Sequence, residues 1–194
     1  KESYKWLKSL HATATAQATA PVTGHPVGIS ITKTPNPTDI LKGGSERENL
    51  QKTLDKLNEK GQWPDIDYAS KQRGDWHPAT HLSRLQAMAK AYHKEGSAFY
   101  HDPALLAKIR LALDYWLAND LQCPNWWYPE IGVPMSLAPT LILMENEMTK
   151  EQLAAGIKIL DRARIRMTGQ NKVWLSGNVL LKSLLLRDAE TIRK

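Results

Sequence analysis

The sequence predicts an all-α domain of stacked antiparallel helical hairpins, preceded by an extended arm. Three observations carry this. Apolar residues recur at helical spacing in one segment after another from Ser45 onward. Two capping boxes, Ser45 with Glu48 and Thr149 with Gln152, mark helix starts, because each pair satisfies the other's free backbone donors. Strong strand signals are absent, and the loops between helical segments differ widely in length.

Residues 1–11 read as a short helix with Tyr4, Leu7 and either Trp6 or Leu10 on its apolar side. Residues 12–44 are rich in Ala, Thr, Pro and Gly, and Pro21, Pro26, Pro35 and Pro37 oppose a long helix there. They read as an extended arm or linker with one candidate strand at 27–32. The chain therefore divides into an amino-terminal helix and arm, 1–44, and a helical domain, 45–194.

The first helix of the domain starts at Ser45, with Leu50, Leu54 and Leu57 as its stripe and Gly61 as its stop. The loop after it, 62–77, carries Trp63, Asp65, Asp67, Tyr68, Arg73 and Trp76, more chemistry than a connector needs. A second helix enters at Pro78 with the stripe Leu82, Leu85, Met88, Ala89 and Tyr92, and ends before Gly96. Asp102 and Pro103 open a third, with Leu106, Ile109, Leu113, Trp116 and Leu117. A fourth spans about 137–146, interrupted near its start by Pro139. The helix behind Thr149 shows Leu153, Ile157, Leu160, Ala163 and Ile165; a sixth runs over about 171–186, and a seventh begins near Asp188.

Seven Trp and six Tyr stand against one Phe, a skew towards aromatics with a polar handle, which serve where an apolar face meets water or ligand. A net charge of +6 favours anionic partners: nucleic acid, an anionic membrane surface or an acidic polysaccharide. The basic residues are scattered, with no block of five, which argues against a polybasic arm and leaves nucleic acid the weakest of these partners. No apolar run reaches the ~18 residues of a membrane span. The single cysteine, Cys123, excludes an internal disulfide and reads as a small buried residue. The chain has no initiator Met and no signal peptide, and reads as a processed product or excised piece.

The densest chemistry lies in Asn125-Trp126-Trp127-Tyr128-Pro129. A helix splays adjacent side chains by about 100° and a strand points them to opposite faces. The two indoles therefore suit either a helical core or a rigid turn that presents one face for stacking. His77 and His81 have the spacing of a helical zinc pair, but Pro78 pushes His77 towards extended geometry, and no Glu of a metalloprotease helix is present. No metal is expected; His77 suits a capping or substrate-facing role. Asp65 and Asp67 are either paired acid–base carboxylates or turn residues. No phosphate loop, nucleophile elbow or Ser/His triad is present. At Thr168-Gly169-Gln170-Asn171, Asn171 can cap a helix or donate to a carboxylate at its positive end, with Trp174 one turn on and Arg162, Arg164, Arg166 and Lys172 close by.

Taken in order, Trp63-Pro64-Asp65-Ile66-Asp67-Tyr68, His81-Leu82-Ser83-Arg84-Leu85, Asn125-Trp126-Trp127, Glu130-Ile131-Gly132-Val133-Pro134 and Thr168-Gly169-Gln170-Asn171 resemble polysaccharide lyase family 8 over about residues 46–190. The family holds the chondroitin, hyaluronan and xanthan lyases. The resemblance implies an incomplete α/α toroid and β-elimination on a uronate-containing acidic polysaccharide, with no cofactor. It makes Asn171 the carboxylate-neutralising amide and Trp126 and Trp127 an aromatic patch. Asn125, Trp63, Trp76, His77, Arg73 and Trp174 become candidate substrate contacts. It implies a secreted, extracellular or periplasmic protein. The family's proton-moving His and Tyr follow the Thr-Gly-x-Asn motif in an aromatic loop, whereas all six His residues here precede position 102. The expectation is a sugar-binding half-site that works with the remainder of a parent lyase chain and is inactive alone. The alternative is a non-catalytic helical carbohydrate-binding or scaffold domain.

Overall fold

The computed structural model describes residues 37–193, with side chains from Glu46 onward. The expected helix at 1–11, the candidate strand at 27–32 and the arm up to residue 36 lie outside the described residues. Two compact units divide between Asn49 and Leu50, and the second holds every helix beyond the first.

Helix α1 spans Pro37–Asp55. Residues 37–44 are thus helical rather than extended, and Ser45 lies inside the helix rather than at its start. The reason is Pro37 itself. At the first helical position its missing N–H is no loss and its fixed φ fits, so it opens the helix it was expected to oppose. The far end differs too: α1 stops at Asp55, and Gly61 closes a separate turn, its N–H donating to Asn58 O at 3.0 Å. Gly61 has φ 75°, and a Cβ there would stand 2.3 Å from the Leu111 carbonyl oxygen, so only glycine fits.

The remaining elements follow the periodicity, except that the helix expected at about 137–146 spans Val133–Leu143, because the π-turn before it runs straight into helical geometry. In α2, Ala79–His93, the five apolar stripe residues are all buried. In α3, Pro103–Asn119, Asp102 caps the start by accepting from Ala104 N at 2.9 Å. Its buried face is Leu105, Ile109, Ala112, Leu113 and Trp116, with Leu106 and Leu117 only half-buried. A π-helical turn, Tyr128–Gly132, leads into α4, Val133–Leu143, which accommodates Pro139 internally. The capping box of α5, Lys150–Leu160, is complete: Thr149 Oγ1 accepts from Gln152 N and Gln152 Oε1 from Thr149 N. Because α5 ends at Leu160, Ile165 leaves the expected stripe and sits 56% exposed in the next loop. Helix α6 spans Gly169–Leu186, and α7, Ala189–Ile192, is capped by Asp188.

Alternate helices share a layer. Helix α4 packs against α2 on one side and α6 on the other, while α3 packs on α5; α2 meets α3, and α5 meets both α4 and α6. Helices α2–α6 thus form two layers, and the described residues include no strand. Helix α4 is the hub, which explains why it is apolar almost all round: Val133, Pro134, Leu137, Ala138, Leu141 and Ile142 are buried. Its buried hydroxyl, Thr140, donates to Ser136 O at 2.8 Å.

Polar bonds fix the register between elements. His81 Nε2 donates to Ala112 O across α2 and α3 at 2.9 Å, and the buried Asn178 of α6 donates to Ile131 O in the π-turn at 3.0 Å. Asn178→Leu is expected to lower stability by about 1–3 kcal/mol, since the Ile131 carbonyl loses its side-chain donor and a branched group must enter a packed interface. A urea unfolding curve with an unchanged midpoint would remove this bond from the account.

Candidate functional site

The π-turn and the residues before it separate the two adjacent indoles. Trp126 is in the entering turn and is 39% exposed; Trp127 has entered helical geometry (φ −59°, ψ −40°) and points inward. Trp127 packs on the buried Ile131, Ala163 and Leu175 together with Trp174, its ring edge-to-face with Trp174 at 5.8 Å. Gly132 makes this possible: a Cβ there would fall 2.7 Å from the Trp127 ring. Trp126 faces outward beneath the Arg166 guanidinium, 5.6 Å from the ring centre, and Arg166 is also ion-paired with Glu130. Trp127 is thus partly buried against a core cluster, and Trp126 is the more exposed of the two.

Asn125 holds the turn in place. Its Nδ2 donates to Arg73 O at 2.8 Å and its Oδ1 accepts from Trp127 N at 3.1 Å. Both ends of the amide are thus engaged within the protein, and its role is to tie the 62–77 loop to the tryptophan turn. Cys123 is buried beside it and its thiol donates to Gln72 O at 3.3 Å.

Asn171 is at the third position of α6, not at its cap; Thr168 is the cap residue and makes no side-chain capping bond. The Asn171 side chain is half-buried, and among the described residues its amide has no hydrogen-bond partner. The α6 start therefore combines unsatisfied backbone donors, the positive end of the helix and a free amide. Side chains of a helix lean towards its amino end, so Asn171 and Trp174, three apart, share one face there. Trp174 touches Trp127, which links Asn171 to the tryptophan turn. Met167, just before this turn, has φ 67°, a backbone conformation non-glycine residues rarely adopt.

Trp63 and Trp76 do not belong to a sugar-facing surface. Trp63 is 0% and Trp76 2% exposed, and their indole N–H groups donate to Thr53 O at 2.8 Å and Ser70 O at 3.1 Å. Both are core pillars: Trp63 meets His81 edge-to-face, and Trp76 packs on Trp116 and Tyr128. The aromatic density of the 62–77 loop reflects this packing. Arg73 and His77 stay exposed.

Asp65 and Asp67 are not an acid–base pair. Asp65 holds both guanidinium nitrogens of Arg84 at 2.7 Å, and this bond lowers its carboxyl to about 2. Asp67 Oδ1 accepts from Ala69 N at 3.0 Å, a local turn. His81 is buried, and its ring accepts from Tyr68 O–H at 3.0 Å while Nε2 donates to Ala112 O. Burial drives its pKa down to about 4 and that of Tyr68 up to about 12. His93 and His101 pack on each other and on Tyr92, away from the Trp127–Trp174 contact. Among the described residues no group of three His, Cys, Asp or Glu side chains could hold a metal ion, and no helix is long and apolar enough to cross a membrane.

The chain belongs to polysaccharide lyase family 8: the family's N terminal alpha-helical domain matches residues 40–194. It is 30% identical over 142 residues to chondroitinase-AC of Pedobacter heparinus, covering 71% of this chain and 20% of that protein. It is 26% identical over 145 residues to xanthan lyase of a Bacillus species, covering 66% of this chain and 16% of the relative. A solved chondroitinase AC lyase, studied as oligosaccharide complexes, superposes with a TM-score of 0.71 at 27% identity, over 76% of this chain and 23% of that one. The Streptomyces coelicolor chondroitin AC lyase shares the fold, with a TM-score of 0.70 at 23% identity over 86% of this chain and 24% of that one. The chain thus spans about a fifth or less of the curated relatives it matches.

Proposed function

We propose that this chain supplies the sugar-binding half of a β-elimination site for uronate-containing acidic polysaccharide. Trp126 gives the stacking face, and Asn171 neutralises the uronate carboxylate. The observation that carries the reading is the Asn171 amide, half-buried and without a hydrogen-bond partner among the described residues, at an uncapped helix start. An amide held there lowers the pKa of the carbon next to the carboxylate by stabilising the developing enolate. Moving the proton then needs a base and an acid near that carbon. Among the described residues His81, His93 and His101 are engaged by neighbouring groups, and the chain is expected to bind the polymer without cleaving it. That distribution also favours the second reading, a binding domain with no catalytic role.

The layered packing supports an arc of an α/α toroid. Val173, at 69% exposed, and Leu180, at 43%, leave an apolar strip on α6 that suits the remainder of a parent lyase chain. Action on extracellular polymers would place the parent outside the cytoplasm.

Titration by tryptophan fluorescence with chondroitin sulfate, hyaluronan and a neutral glucan tests the reading. Saturable binding of the two uronate polymers is expected, about tenfold weaker in Asn171→Ala and undetectable for the glucan. Equal affinity for the glucan, or an Asn171→Ala variant that binds like wild type, would remove the carboxylate from the account. Release of an unsaturated sugar by the purified chain would refute the half-site.

A further inference from the structure

We propose a second oxyanion subsite beside Trp126, in the cleft between the π-turn and the loop joining α5 to α6. It rests on the polysaccharide reading above and adds a separate contact to it. The cleft has a volume of about 590 Å³ and is lined by Pro129 and Glu130 on one side and by Lys158, Asp161, Arg162, Arg164 and Arg166 on the other. That volume is within the ~300–1,000 Å³ usual for ligand sites.

The charges in this cleft do not cancel. Glu130 is held by Arg166, and Asp161 by Lys182 of α6, which is not a lining residue, at 2.9 Å. Arg162 pairs through Nη2 with Asp120, yet its Nη1 is buried and has no acceptor. Lys158 and Arg164 are exposed and have no carboxylate partner among the described residues. The two exposed cations, Lys158 and Arg164, are therefore left for an incoming anion. The Arg164 guanidinium fork suits the paired oxygens of a sulfate or carboxylate, with the Lys158 ammonium as a second charge.

Arg166 ties the cleft to the proposed sugar platform, since it lies over Trp126 and lines the cleft at once. A polysaccharide stacked on Trp126 would thus run beside the cleft that Lys158 and Arg164 line. The ligand class is an oxyanion on the same chain, either a sulfate ester or a neighbouring uronate carboxylate.

The test is calorimetric titration of wild type, a K158A/R164A double variant and Trp126→Ala with a chondroitin sulfate hexasaccharide and its desulfated counterpart, each at two salt concentrations. The double variant is expected to bind the sulfated hexasaccharide at least tenfold more weakly and with a shallower salt dependence, because fewer counterions are released. If the oxyanion is a sulfate, the loss vanishes with the desulfated sugar; if it is a carboxylate, the loss is the same for both. Both substitutions are at exposed positions, so melting temperatures should match wild type and exclude unfolding as the cause. A double variant that binds like wild type, while Trp126→Ala is weakened, overturns the subsite and leaves the platform standing. A wild-type chain with no affinity for either sugar removes the platform and the subsite together.

Discussion

Trp127→Ala is expected to lower stability by about 2–3 kcal/mol and polysaccharide affinity by about tenfold, whereas Trp126→Ala lowers affinity alone. The asymmetry follows from the turn. Trp127 fills a cluster with Ile131, Leu175 and Trp174, so its removal leaves a void on which Trp174, and with it the Asn171 face of α6, can shift. Trp126 is 39% exposed, lies under the Arg166 guanidinium and is outside that cluster, so its loss opens no void there. Gly132→Ala should resemble Trp127→Ala without touching either indole. Its new methyl would stand 2.7 Å from the Trp127 ring, and a large ring wedged among buried neighbours has nowhere to yield. For a domain of this size the loss corresponds to a fall in melting temperature of about 4–12 °C. Calorimetric melts paired with sugar titration check it. Equal destabilisation by Trp126→Ala and Trp127→Ala would show that the indoles are not split between surface and core.

The helices were legible because burial leaves a periodic trace. The stripe of α2 and the Asp102 and Thr149 caps depend on local spacing and local bonds, and all are present. What was not legible depends on partners distant in sequence. Trp63 and Trp76 look like ligand platforms in a polar loop, and nothing local reveals that Thr53 O and Ser70 O take up their indole N–H groups. Asp65 likewise finds Arg84 from the next helix. Pro37 failed for the opposite reason: one residue type both stops and starts helices, and the choice depends on the chain that follows. Gly132 was visible only as one letter in the tryptophan run, because its function is the absence of a side chain beside a ring. Asn171 was placed near the right helix end, but that its amide lacks an internal partner among the described residues is something spacing does not report.

Acidification should loosen this domain chiefly through the fully buried His81, with His93, whose pKa burial also lowers, acting in the same direction. His81 Nε2 faces a carbonyl, which can only accept, so the neutral ring carries its proton there and Nδ1 is left to accept from Tyr68 O–H. Tyr68 O in turn accepts from Trp63 N at 3.0 Å, which ties the loop, α2 and α3 into one network. A second ring proton would place a charge where burial holds the pKa near 4, against 6.5 for a free histidine. The unfolded chain therefore binds a proton that the folded chain refuses. Stability from this group is complete above about pH 6.5, falls as pH drops, and levels off below about pH 4, where both states are protonated. The difference corresponds to about 3 kcal/mol at ~1.4 kcal/mol per pKa unit. His81→Gln offers an amide N–H to Ala112 O but no titrating group, so its own stability cost should come with a flatter pH profile between 6.5 and 4. Urea midpoints measured across that range in wild type and His81→Gln decide it. A wild-type midpoint that stays level from pH 6.5 to 4 would mean that the ring protonates in place, and that the Tyr68–His81–Ala112 chain adapts to the charge.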